Sequence, residues 1–138
     1  MREKISLKVK DWMSSPVVVL DKDCSVAYAL TLMRRRNIRS LLISIDPVQN
    51  IYGILTTTDI RDKIIGKDQN PANISVSEIM TKNLITADHN WSLLECSIEM
   101  QNHNIHHMPV VDENKNLVGL ISSTDLFFPA EEIGWEGN

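Results

Sequence analysis

Gly53-Ile54-Leu55-Thr56-Thr57-Thr58-Asp59 and Gly119-Leu120-Ile121-Ser122-Ser123-Thr124-Asp125 are one phrase written twice: a glycine, two aliphatic residues, a hydroxyl residue and, three positions on, an aspartate. The aliphatic pair reads as the end of a strand, and the hydroxyl residue with its aspartate as the start of a helix. Working outward, the register continues. Met13 falls on Met80, Val9 on Val76, Asp21 on Asp88, Ser25 on Ser92, Met33 on Met100, Asn37 on Asn104 and Ile38 on Ile105. The offset changes by one residue between the upstream matches and the motif, across the stretches DPVQN (46–50) and DENKN (112–116). Both have turn composition, where a one-residue change is absorbed at the surface. The chain is an internal duplication, and each later residue is read against its counterpart.

Each copy predicts the same order of elements. A helical turn at 9–13 or 76–80 leads into an extended piece at 17–20 or 84–87. An amphipathic helix follows, with Val26, Ala29, Leu30 and Met33 in one copy and Leu93, Cys96, Ser97 and Met100 in the other at i, i+3, i+4 and i+7. Ser92 with Glu95 forms a capping-box signature, Ser25 holds the same start position, and Arg34, Arg35 and Arg36 complement the helix dipole in the last turn. Two strands then form a hairpin, 41–45 with 51–56 and 108–111 with 117–122. A second helix starts at each Thr-Asp pair, running to Gly66 in the first copy and cut short by Pro129 in the second. The expected fold class is α+β: two β-α-β-β-α repeats packed sheet to sheet with pseudo-two-fold symmetry. Residues 8–66 form the first repeat, 67–75 a linker, 76–129 the second repeat and 130–138 a tail.

Composition narrows the chemistry. With 138 residues, 43% hydrophobic and 23% charged, the chain matches a soluble globular protein able to bury roughly two thirds of its unfolded surface. The net charge of −4 supplies no positive field for nucleic acid or an anionic membrane. The start MREKISLKVKDW lacks the apolar core of a signal peptide, and two cysteines are too few for a disulfide framework, so a cytoplasmic setting is expected.

The doubled Gly-apolar-apolar-Ser/Thr-x-x-Asp motif resembles the CBS domain, named after cystathionine β-synthase. So do Val76-Ser77-Glu78-Ile79-Met80-Thr81 with its counterpart Val9-Lys10-Asp11-Trp12-Met13-Ser14, and Ile105-His106-His107-Met108-Pro109-Val110-Val111-Asp112. The pair resembles a Bateman module, over about residues 8–128. The resemblance implies a regulatory, non-enzymatic module that binds AMP, ADP, ATP or S-adenosylmethionine in a cleft between repeats, needs no cofactor, pairs as a homodimer and signals to an unidentified target protein. It also implies that each aspartate accepts from the ribose diol, that nearby hydroxyls contact ribose or phosphate, and that each cleft takes its aspartate from one copy and its first strand from the other. One site would draw on Thr56, Thr58, Asp59, Ile85, Thr86, Ile105, His106, His107, Met108 and Pro109. The second would draw on Val18, Val19, Ile38, Arg39, Leu41, Ser122, Thr124 and Asp125. Because Thr86 and Pro109 have only Val19 and Leu42 as counterparts, the site using Asp59 is expected to be the better one.

The residues support this placement by themselves. A carboxylate with two acceptor oxygens suits a vicinal diol, hydroxyls and helix-start N–H groups suit a phosphate, and Gly53 and Gly119 admit a close neighbour. A plainer alternative stays open: Ser/Thr followed by Asp is also how helices are capped. The alternative function is accordingly a ligand-free structural dimerisation module. His103, His106 and His107 have a spacing compatible with a metal, but Arg36, Arg39 and Ser40 take their places in the first copy, keeping donors and losing ligands. No metal site and no catalytic residues are expected. No nucleophile elbow, phosphate loop or metalloprotease motif occurs, and Cys24, Cys96, Met33 and Met100 read as packing residues.

Overall fold

In the computed structural model, which describes residues 7–15 and 17–133, each copy builds one three-stranded sheet. The first copy runs α1 (Val9–Trp12), β1 (Val19–Asp21), α2 (Val26–Arg36), β2 (Ser40–Asp46), β3 (Ile51–Thr56) and α3 (Thr57–Ile60), the last widening into a π-turn over Arg61–Ile65. The second runs from a 3-10 turn at Val76–Glu78 through β4 (Ala87–Asp88), α4 (Leu93–His103), β5 (His107–Val111), β6 (Leu117–Ser122) and a 3-10 turn at Ser123–Leu126 into α5 (Phe127–Ile133).

Both sheets share one topology. β1 pairs parallel with β2, and β2 antiparallel with β3; β4, β5 and β6 repeat the pattern. Parallel neighbours need a crossover, which α2 and α4 supply. Their ends are fixed locally. Ser25 Oγ accepts from the Tyr28 amide at 3.1 Å, and Ser92 Oγ from the Glu95 amide at 3.1 Å. Each helix closes on an asparagine in the left-handed region, Asn37 at φ 53° and Asn104 at φ 52°. That conformation turns the chain sharply into the central strand.

The chain divides into two compact units: Val18–Leu84, and the described residues on either side of it. The first unit is filled by Leu41, Ile43, Leu55, Ile60 and Ile64 with Val26, Ala29 and Met33 from α2. The second is filled by Met108, Val110 and Ile121 with Cys96 and Met100 from α4. A wholly buried aliphatic side chain contributes ~1.5–3 kcal/mol relative to exposure. These units do not follow the sequence repeats, because the lead segments are exchanged. Val76, Ile79 and Met80 open the second repeat yet complete the first core. Val9 opens the first repeat yet is buried in the second core. Matching backbone bonds dock each segment: Val76 N donates to Cys24 O at 2.8 Å, and Val9 N to Trp91 O at 2.9 Å.

The two glycines of the motif are where those segments press closest. Ser14 exchanges backbone bonds with Leu120 at 2.8 and 3.0 Å, and Thr81 with Ile54 at 2.9 and 2.8 Å. A Cβ on Gly119 would lie 2.5 Å from Met13 Sδ and 2.9 Å from Ser14 O; one on Gly53 would lie 2.6 Å from Met80 Sδ and 3.1 Å from Thr81 O. The absent side chains make room for a crossing backbone.

Two expectations are corrected. Pro129 does not end the last helix: it is the third residue of α5, which continues to Ile133. First-turn amides have no intrahelical acceptor, so the missing N–H costs little there. Pro109 has its effect on β4. In the first sheet Leu42 N donates to Val18 O at 3.1 Å; Pro109, at the equivalent position, has no N–H, and the parallel pairing begins only at Ala87 with Val110. β4 therefore has two residues where β1 has three.

Candidate functional site

The motif of the first copy ends β3 at Thr56 and turns at once into α3. Thr56 is extended, at φ −117° and ψ 163°, so its hydroxyl faces the new helix and accepts from the Asp59 amide at 3.3 Å. Asp59 Oδ2 in return accepts from Thr56 N at 3.0 Å and Thr56 Oγ1 at 3.2 Å. The other oxygen is also engaged. Oδ1 accepts from Lys63 Nζ at 3.2 Å and Thr81 Oγ1 at 3.5 Å, and the same ammonium donates to Ile79 O at 2.7 Å. Asp59 is 8% exposed, while Thr57 and Thr58 beside it face solvent.

The motif of the second copy repeats only half of this. Asp125 Oδ2 accepts from Ser122 N at 2.8 Å and Ser122 Oγ at 3.1 Å. Oδ1 accepts no hydrogen bond among the described residues. Thr124 is exposed, and Asp125 and Ser122 are half-buried.

Each motif is tied to the entry of its own central strand. Thr57 N donates to Arg39 O at 3.1 Å, and Ser123 N to His106 O at 2.9 Å. The exposed Arg39 thus belongs to the unit of Asp59, and the exposed His106 to that of Asp125. Val18 and Ile38 are half-buried against the first core and Val19 is 41% exposed; Ile85 and Ile105 are half-buried against the second core, and Thr86 is exposed. Leu41 and Met108 have no accessible surface and serve their cores; Pro109 is buried and His107 half-buried, within β5.

Of the remaining titratable groups, His103 sits in the last turn of α4, 3.3 Å from Glu99. Burial pushes the Cys96 thiol up to about 11, with Asp125 adding to the shift, as suits a packing residue. Two partners of Asp59 were not foreseen from the sequence. Lys63 carries a signal, since a cation four residues after an acid shares its helix face. Thr81 carries none, because its approach depends on the docking of the second lead segment.

The sequence pattern of the CBS domain matches residues 9–66 and 76–128. The CBS domain-containing protein YhcV of Bacillus subtilis is 35% identical over 121 residues, covering 86% of this chain and 81% of its own length. A homoserine O-acetyltransferase of Methanosalsum zhilinae is 33% identical over 121 residues, covering 88% of this chain but 23% of the larger protein. This chain thus spans about a quarter of several of the curated relatives it matches. Among solved structures, a hexameric CBS-CP12 protein from bloom-forming cyanobacteria superposes with a TM-score of 0.86 at 27% identity, over 96% of this chain and 76% of its own. The CBS domain pair of protein MJ0100, in complex with 5′-methylthioadenosine and S-adenosylmethionine, superposes with a TM-score of 0.79 at 30% identity, over 91% of this chain and 97% of its own.

Proposed function

Since this chain belongs to the CBS domain family and carries the domain as a tandem pair, we propose that it is a regulatory module that binds an adenosyl ligand at a motif aspartate and passes that binding on to a partner. The observation that carries this reading is the carboxylate at the end of the second hairpin. It is fixed by its own serine through one oxygen and has no donor on the other among the described residues, beside exposed Thr124 and in the unit that holds exposed Thr86 and His106. A fixed acceptor with open lone pairs suits a ribose diol, and hydroxyls and imidazole suit a phosphate or the carboxylate of a methionine tail. The ligands proposed are S-adenosylmethionine, methylthioadenosine, AMP, ADP and ATP, and the residues proposed to hold them are Ser122, Thr124 and Asp125 of the second motif with Thr86 and His106 of the same unit. Ligand would act by population shift, favouring whichever arrangement of the protein it binds better, and a second copy or a target protein would read the outcome. The activities of the larger enzymes that contain a similar segment do not enter this reading.

A second reading has its own support: both oxygens of Asp59 are consumed inside the fold, as in a structural module that binds nothing. Thermal unfolding with each of the five compounds separates the two. A ligand held at about 100 times its Kd adds ~2.7 kcal/mol, a rise of several degrees that grows with the logarithm of ligand concentration. No shift with any of the five favours the structural module.

A further inference from the structure

Resting on the adenosyl-binding reading, we infer that the two motif aspartates have divided roles: Asp59 is the anchor of an internal latch closed by Lys63, and the ligand's diol is taken by Asp125. A carboxylate has about four lone-pair positions. On Asp59 four donors fill them: Thr56 N and Thr56 Oγ1 on Oδ2, Lys63 Nζ and Thr81 Oγ1 on Oδ1. A diol arriving there must first displace an ammonium that is also bonded to Ile79 O at 2.7 Å. On Asp125, among the described residues, only the two Oδ2 positions are filled. The difference is written in the sequence. Pro129 takes the place of Lys63 and has no charge to offer, and Ser14, in the place of Thr81, makes no hydrogen bond to Asp125.

A second, independent feature divides the units in the same sense. In the first unit the Val18 carbonyl is occupied by Leu42 N at 3.1 Å. In the second, Pro109 removes that donor, and the corresponding Ile85 carbonyl accepts no backbone hydrogen bond among the described residues. The unit that holds the open carboxylate oxygen therefore also holds, just before β4, a carbonyl with no backbone donor among the described residues, an acceptor for an amine such as the exocyclic group of adenine. The latch has a structural use. Through Ile79 O and Thr81 Oγ1 it ties α3 to the lead segment that buries Val76 and Met80, so closing the first motif secures the first core. This assigns the better site to the motif opposite the one favoured by Thr86 and Pro109 in the sequence.

The test is titration calorimetry of the full chain with methylthioadenosine and with S-adenosylmethionine, on wild type, Asp125→Asn, Asp59→Asn and Lys63→Met. Divided roles predict one equivalent in wild type, at least tenfold weaker binding in Asp125→Asn, a change below about threefold in Asp59→Asn, and a second, weaker equivalent in Lys63→Met. Two equal sites in wild type, or loss in Asp59→Asn with binding kept in Asp125→Asn, overturns the division. No binding by wild type overturns the adenosyl reading itself, and the latch is then judged without ligand. Asp59→Asn, Lys63→Met and the double variant should lose less melting temperature together than the sum of the singles; additive losses refute the latch.

Discussion

Replacing Gly119 by alanine tests how the lead segments are held. The added Cβ would meet Met13 Sδ at 2.5 Å and Ser14 O at 2.9 Å. The sulfur ends a flexible side chain and can swing away. The carbonyl cannot retreat without stretching the reciprocal pair between Ser14 and Leu120, at 2.8 and 3.0 Å. Two backbone hydrogen bonds at ~0.5–1.5 kcal/mol each give a loss of ~1–3 kcal/mol, offset by ~0.5–1 kcal/mol from the reduced freedom of the unfolded chain. The net is ~0.5–2 kcal/mol of destabilisation, or ~2–8 °C in melting temperature for a chain of this size. At Gly53 the crossing carbonyl, Thr81 O, is farther from the added atom, at 3.1 Å. Gly53→Ala should therefore cost less, ~0–1 kcal/mol after the same offset. Chemical denaturation of both variants, with the slope compared to confirm an unchanged native state, reads the order directly. Gly119→Ala as stable as wild type, or less damaging than Gly53→Ala, would refute the claim that the docked backbone sets the requirement for glycine.

Val76→Ala should lower stability by ~1–3 kcal/mol even though Val76 opens the second repeat, and hydrogen exchange should report the loss in α2 and β2 rather than in α4 and β5. Asn104→Ala should cost ~1–2 kcal/mol, because alanine pays for the left-handed conformation at φ 52°, whereas Asn104→Gly should be close to neutral in the same melt. Cys96 is held protonated in the folded chain, its thiol raised to about 11 from the ordinary 9.0 by burial first and Asp125 second. The folded state binds the extra proton, so this contribution is complete below pH 9 and fades as the pH climbs to about 11; stability against pH should show an alkaline decline that Cys96→Ala removes. A thiol reagent at pH 8 should label the half-buried Cys24 in the native chain and reach Cys96 only on unfolding.

Much of the fold was legible because the duplication let each weak signal be read twice. The hairpin strands 51–56 and 117–122 are β3 and β6 to the residue, and Ser25 and Ser92 cap α2 and α4 as their positions require. The exchange of lead segments was not legible. Similarity locates where a repeat begins, whereas packing is decided by which core has room for Val9 or Val76. Pro129 misled because proline ends a helix only where an intrahelical acceptor awaits its amide. At the site the sequence left two readings of the motif, ligand carboxylate or helix cap. The geometry of Asp59 is that of a cap, shared with Lys63 and Thr81, while Asp125 is capped through one oxygen. Which motif closes depends on residues outside it, Lys63 against Pro129, so the motif itself carried no sign of the difference.

The most direct measurement is a crystal structure of the chain grown with methylthioadenosine at saturating concentration. The account predicts ribose hydroxyls within ~2.6–3.2 Å of Asp125 Oδ1, with Lys63 still on Asp59. A diol seated on Asp59 with Lys63 swung aside, or both carboxylates without ligand, would contradict it.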